Sequence, residues 1–217
     1  MKPRSSIPAL LALALSPAVV HAQDRGLQVL HAAGERYAAV ETLCASFTQT
    51  LHVPLLARET TGTGRLCQGR PNLFAMRFDD PAGDLIVVDG DYAWVYFPSS
   101  DALTVLRTSA ERSAGGLDYH REFLVEPDTK YDVVYEAEDV VEGHDTHRLR
   151  MTPRRRMSYL SANVWIDRDA PLLRRIRLEE ENGNVRVITL ANVGFDADPG
   201  SGWFTFTPPE GATVIER

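Results

Sequence analysis

Two periods divide the chain. Leu27, Leu30, Gly34, Tyr37, Val40, Cys44 and Phe47 recur at steps of three and four, which predicts one apolar stripe on a helix over residues 26–44. From residue 46 to 106 the step shortens to two. Phe47, Gln49 and Leu51 oppose Thr48 and Thr50, and Asn72, Phe74, Met76 and Phe78 share one strand face, with Leu73, Ala75 and Arg77 on the other. Asp80-Pro81-Ala82-Gly83 and Asp89-Gly90-Asp91 supply turns, because Gly and Asp tolerate positive φ. Residues 109–126 break the rhythm. A helix begins over 109–113, Gly115-Gly116 interrupts it, and 117–124 forms a second short helix with one apolar edge, stopped by Pro127. Alternation then resumes over 131–138, 147–152, 158–167, 172–179, 185–193 and 203–207. The pattern predicts a mainly β domain: one antiparallel meander of about 10–11 strands, a helix before it and a helical insert within it. One helix cannot cover that much apolar sheet. Either two layers close on each other, or the sheet curls and encloses a space.

The start of the chain changes the picture. Lys2 and Arg4 precede an apolar run over 7–20, and Val20-His21-Ala22 carries small residues at the outer and inner cleavage positions. That is a secretory signal peptide over 1–22, and Pro8 and Pro17 inside the run count against a retained anchor. Cleavage leaves a single domain over 23–217, with no Cys at its start to be lipidated and no later run long enough to span a bilayer. Without Lys2 and Arg4 the 23 basic residues fall to 21, against 30 acidic ones, a net of −9. Long-range repulsion therefore opposes nucleic acid and anionic lipid surfaces as partners. Arg154-Arg155-Arg156 and Arg174-Arg175 are local exceptions, either solvated faces or a docking patch for an acidic partner.

Candidate chemistry is sparse. The two cysteines, Cys44 and Cys67, form a candidate disulfide, because an even count in an exported chain favours pairing; two buried thiols are the alternative. A bridge would close a loop worth roughly 3 kcal/mol through the unfolded state. Thr61-Gly62-Thr63-Gly64 starts like a phosphate loop, but Cys67 stands where a further Gly is needed and no helix follows. His144-Asp145-Thr146-His147 lies in a turn without a third ligand nearby. No nucleophile elbow, zincin helix or Cys-x-x-Cys occurs, and no serine is singled out as a partner for Asp118 and His120. The expectation is no catalytic residue, no metal and no cofactor. Arg70 shares a period-two face with Asn72 and Phe74. Either its head reaches water past Pro71, or it donates to carbonyls of a covering segment. Large rings and unbranched Met suit a pocket that reshapes around flexible chains.

Four phrases occur in order: Ser46-Phe47-Thr48-Gln49-Thr50, Gly69-Arg70-Pro71-Asn72-Leu73-Phe74, Asp89-Gly90 leading to Trp94-Val95-Tyr96-Phe97-Pro98, and Phe204-Thr205-Phe206-Thr207-Pro208-Pro209-Glu210-Gly211. Together they resemble the LolA family over about residues 27–215. The resemblance implies an incomplete, unclosed β-barrel whose concave apolar face is capped by helices and receives acyl chains. It implies a periplasmic, monomeric carrier of triacylated lipoproteins, loaded by an inner-membrane LolCDE-type ABC transporter and unloaded to a LolB-type outer-membrane acceptor. It places Phe47, Phe74, Met76, Phe78, Trp94 and Tyr96 in the cavity and Leu117, Tyr119, Phe123 and Leu124 on the lid, and it makes Arg70 the lid latch. The lid departs from the pattern, with Gly115-Gly116 and the charged Asp118, His120, Arg121 and Glu122. Two other readings accompany this one: a LolA-like carrier of another lipid, and an envelope regulator resembling the lipid-sensing domain of RseB. The second of these is expected to need a further domain, for which the chain, ending at Arg217, leaves no room.

Overall fold

The computed structural model describes residues 17–113 and 118–216. Helix α1 (Pro17–Ala38) leads into β1 (Thr42–Val53), a 3-10 turn (Pro54–Leu56), β2 (Arg58–Gly69), β3 (Leu73–Asp80), β4 (Leu85–Val88), β5 (Tyr92–Tyr96) and β6 (Thr104–Ser109). Three short helices follow: α2 (Ala110–Ser113), α3 (Tyr119–Leu124) and α4 (Pro127–Lys130). The rest is β7 (Tyr131–Val141), β8 (His144–Pro153), β9 (Tyr159–Asp167), β10 (Leu173–Glu180), β11 (Val185–Phe195) and β12 (Thr213–Glu216).

Among the described residues these twelve strands make one sheet, in the order β12-β6-β5-β4-β3-β2-β1-β11-β10-β9-β8-β7. Its two ends are not paired with each other, so the barrel is unclosed. All pairings are antiparallel except β12 with β6, which is parallel. Gly143 and Gly183 turn the β7–β8 and β10–β11 hairpins at φ +79° and +84°, where a Cβ would be strained. The concave face holds the core. Phe47, Phe74, Met76, Leu149, Val164, Ile176 and Ile188 meet Leu30 and Ala33 of α1 and Phe123 and Leu124 of α3. α1 also packs against β7 near Val133 and Tyr135.

Two expectations shift. The helix predicted over 26–44 ends at Ala38, and Cys44 and Phe47 stand on β1. There Leu43, Cys44 and Ala45 are all buried, because the sheet is covered on both faces at that end. Period two is hidden where both faces are apolar, so the steps of three and four there mimic a helix. The strand predicted over 203–207 is a strap without strand pairing, and the closing strand is β12. The strap crosses the convex face, with Trp203, Phe204 and Phe206 packed against Ala75, Leu85 and Val87. The Arg77 guanidinium takes the carbonyls that a neighbouring strand would have taken, donating to Trp203 O at 3.0 Å and Thr205 O at 2.8 Å. The second short helix ends at Leu124, ahead of Pro127 as expected, and Pro127 itself stands at the start of α4.

Candidate functional site

Between the two flanks of the curled sheet lies a cavity of about 260 Å³. Phe78 of β3, Ile86 of β4, Val95 of β5 and the following Phe97 form one wall, and Tyr159 of β9 and Leu178 of β10 face them. Tyr119, Glu122 and Phe123 of α3 cover it, while Gln49, Ser158, Glu180 and Arg186 make a polar rim. Register explains the first wall. Met76, Ile86, Val95 and Leu106 lie side by side across β3–β6, so every second residue from each enters the same face.

The residues expected in the cavity divide into three groups. Phe78 lines it. Phe47, Phe74 and Met76 share its face but are packed solid in the core, Phe47 meeting Phe78 edge-on at 4.9 Å between ring centroids. Trp94 and Tyr96 are on the convex face. Both rings pack on Phe206 of the strap, at 5.9 and 5.5 Å, and Trp94 Nε1 donates to Asp89 Oδ2 at 2.7 Å. Their neighbours Val95 and Phe97 face the cavity instead. Ring size favoured the wrong parity, and a shift of one residue moves every side chain to the other face.

Of the expected lid residues, Leu117 lies outside the described residues. Tyr119 and Phe123 reach the cavity, and Leu124 is buried in the core. Two of the charged residues of the lid are buried, while Asp118 is half-buried and Arg121 exposed. His120 and Glu122 are 3% and 5% exposed. Asp118 caps α3, accepting from Arg121 N at 2.9 Å, and also accepts from Gln68 Nε2 and from the Tyr37 hydroxyl at 3.4 Å. Burial raises its carboxyl above the ordinary range, against the donors that face it. The His120 ring stacks on Tyr37 at 5.3 Å, and burial pulls its pKa down to about 4, so it is neutral. Arg121 Nη1 donates to Asn72 Oδ1 at 2.9 Å.

Glu122 carries the most unusual arrangement. Its Oε1 accepts from the Tyr131 hydroxyl and, at 3.1 Å, from the Tyr159 hydroxyl, while the two hydroxyls lie 2.6 Å apart. Burial first, then the carboxylate and the neighbouring hydroxyl, push the Tyr131 ionisation far up. Burial does the same for Tyr159, so both stay donors. Lys130 Nζ holds the other end of α3, donating to the carbonyls of Arg121 and Glu122 at 3.0 and 2.9 Å. Sequence reasoning missed these ties because their partners come from α1, β2, the turn before β3, β7 and β9, up to 81 residues away.

Arg70 does not reach α3 among the described residues. Its Nε donates to Val40 O at 2.9 Å and its Nη2 to Tyr37 O at 3.0 Å, with the guanidinium near the Tyr37 ring. It therefore ties down the end of α1, where helix carbonyls lack internal partners, and among the described residues it touches the lid only through Tyr37. Cys44 and Cys67 oppose each other across β1–β2 and are joined by a disulfide on the convex side, in the row of Ala75. His144 pairs with Asp167 and His147 with Tyr135, so the two histidines have separate partners. Among the described residues no cluster of three or more His, Cys, Asp or Glu is placed to hold a metal.

A protein from Alkalilimnicola ehrlichii named outer-membrane lipoprotein carrier protein is 26% identical over 217 residues, all of this chain and 97% of that one. One of the same name from Neisseria gonorrhoeae is 25% identical over the full length of both. In fold, the chain is similar to an uncharacterized conserved protein from Thermus thermophilus, with a TM-score of 0.55, 13% identity and coverage of 88% and 98% of the two chains. It is also similar to the Mycobacterium tuberculosis lipoprotein LppX, with a TM-score of 0.51, 13% identity and coverage of 81% and 98%. The family described as outer membrane lipoprotein carrier protein LolA matches residues 38–207, and the chain belongs to it.

Proposed function

We propose that the protein is a carrier of the bacterial envelope that shelters the acyl chains of lipoproteins on their way to the outer membrane. Its cargo is triacylated lipoproteins, its donor a LolCDE-type ABC transporter of the inner membrane, its acceptor a LolB-type outer-membrane protein, and its compartment the periplasm after cleavage behind Ala22. The supporting observation is the apolar cavity of about 260 Å³ closed on one side by the short helix α3. Each methylene moved from water to such a wall gains about 0.8 kcal/mol, so long acyl chains cannot cross an aqueous space bare. The volume is below the roughly 300–1,000 Å³ of pockets that hold a drug-sized ligand. Three acyl chains therefore need α3 to move, and cargo shifts that equilibrium only by its preference for the open form. Depletion tests the reading: outer-membrane lipoproteins accumulate at the inner membrane when the protein is removed. Unchanged sorting overturns it.

One observation favours a second reading, a LolA-like carrier of another lipid. Glu122, Glu180 and Arg186 put charge on a cavity wall that pure hydrocarbon does not need. Mass spectrometry of the purified, loaded protein separates the two: acylated polypeptide supports the first, free lipid the second.

A further inference from the structure

The tip of the β1–β2 hairpin exposes two adjacent leucines, Leu55 at 92% and Leu56 at 67%. Single exposed apolar residues are ordinary on protein surfaces. This pair differs in three ways. First, residues 54–59 are all exposed, so the apex stands clear of the body. Pairing with β11 stops at His52 and pairing with β3 at Thr63, so the tip extends past both neighbours. Second, it rises from the cavity rim. Gln49 lines the cavity four residues before Val53, about 14 Å along the strand. Arg186, also on the rim, lies beside Leu51 across β1–β11. Third, its charges balance. Arg58 offsets Glu59, and His52 lies 3.9 Å from Glu59, in a chain whose formal charge is −7.

We propose that Leu55 and Leu56 form a finger that inserts reversibly into a zwitterionic phospholipid surface and sets the cavity mouth against it. The proposal rests on the carrier reading only for the reason that a mouth should face lipid; the contact itself is a property of the empty protein. A neutral apolar tip on an acidic body fits a zwitterionic bilayer better than an anionic one, since body charge opposes the second. Two leucines give weak, reversible attachment, below the two signals that stable anchoring takes. That suits a protein that must leave again.

The test is flotation of the purified, cargo-free protein, cleaved behind Ala22, with vesicles of phosphatidylcholine and phosphatidylethanolamine. Wild type partitions measurably, and the double variant Leu55→Ser, Leu56→Ser loses about tenfold or more of that partition. Leu160→Ser, which removes another leucine exposed at 60%, leaves it unchanged. Separately, the Leu55→Trp protein is quenched by vesicles of brominated lipid. Equal flotation of wild type and the double variant, or no quenching, overturns the proposal and leaves the tip to a protein partner or to none. Because no cargo is used, a failure of the carrier reading in the depletion experiment is distinguishable from a failure here.

Discussion

Gly34 of α1 lies so close to the end of α3 that a Cβ at Gly34 would stand 2.6 Å from the carbonyl oxygen of Leu124. α3 packs against a helix that lacks a side chain at the one position where it comes this close. Gly34→Ala gains about 1 kcal/mol of helix propensity, but overpacking against backbone costs about 1–3 kcal/mol. The contact is with backbone rather than a flexible side chain, so the second effect wins and falls on the lid. Hydrogen exchange of the 119–124 amides accelerates in Gly34→Ala while the strand amides stay protected. Equal protection of the 119–124 amides in variant and wild type would show that α3 shifts without loosening.

Glu122 holds two tyrosine hydroxyls and at the same time puts a carboxylate on an apolar cavity. Glu122→Leu removes bonds worth about 1.5–3 kcal/mol each from the closed form, and Tyr131 and Tyr159 keep only each other. It also makes the wall apolar. Both effects favour the loaded state, so an acyl fluorophore binds about tenfold more tightly and passes more slowly to an acceptor bilayer. Weaker binding in Glu122→Leu would mean that the carboxylate holds part of the cargo rather than the empty lid.

Much of the sheet was legible because its turns and periods are local. The 131–138 and 185–193 strands lie within β7 and β11, and Phe74, Met76 and Phe78 share the concave face. Parity failed at Trp94, where both faces of β5 are apolar: one faces the cavity and the other the strap. Nothing local distinguishes them, because the strap is more than 100 residues away in sequence. The charged residues over 118–122 depart from the family pattern, yet Asp118, Arg121 and Glu122 each meet a partner on the sheet or in the turn beside it. Such ties depend on the curl bringing distant strands under α3, which no window of sequence contains.

Gln68 and Arg70 are two residues apart and belong to different joints. Gln68 donates to Asp118 of the lid, while Arg70 donates to the end of α1. Gln68→Leu leaves a buried carboxylate short of a donor, a cost of about 1–3 kcal/mol to the closed form. Arg70→Leu frees two carbonyls that water can reach, a cost of about 1 kcal/mol to α1 docking. Uptake of an acyl fluorophore therefore accelerates more in Gln68→Leu than in Arg70→Leu. The reverse order would restore Arg70 as the latch.

The Cys44–Cys67 bridge lies on the side of the sheet away from the cavity. Cys44→Ala with Cys67→Ala lowers the unfolding free energy by about 2–4 kcal/mol. Cavity affinity is unchanged, since neither sulfur touches the lining. Urea titration reads the first and fluorophore binding the second. A change in affinity would show that the convex row sets the curl of the sheet.

Acid should loosen the lid through His120 and tighten it through Asp118, and two variants separate them. The closed lid holds the pKa of His120 down to about 4, and an opened lid returns it to about 6.5. The closed state's advantage from this group is complete above about pH 6.5 and is lost as pH falls toward 4, by up to about 3 kcal/mol. Asp118 has the opposite sign. Its closed-state pKa is raised by burial, so protonation favours closure as pH falls through that raised value. In His120→Phe the ring still stacks on Tyr37 but binds no proton, so fluorophore uptake no longer rises between pH 7 and 5 and the Asp118 effect stands alone. In Asp118→Asn the rise through His120 persists with no opposing carboxyl. If His120→Phe keeps the pH dependence of wild type, the histidine is not the group that acid reaches.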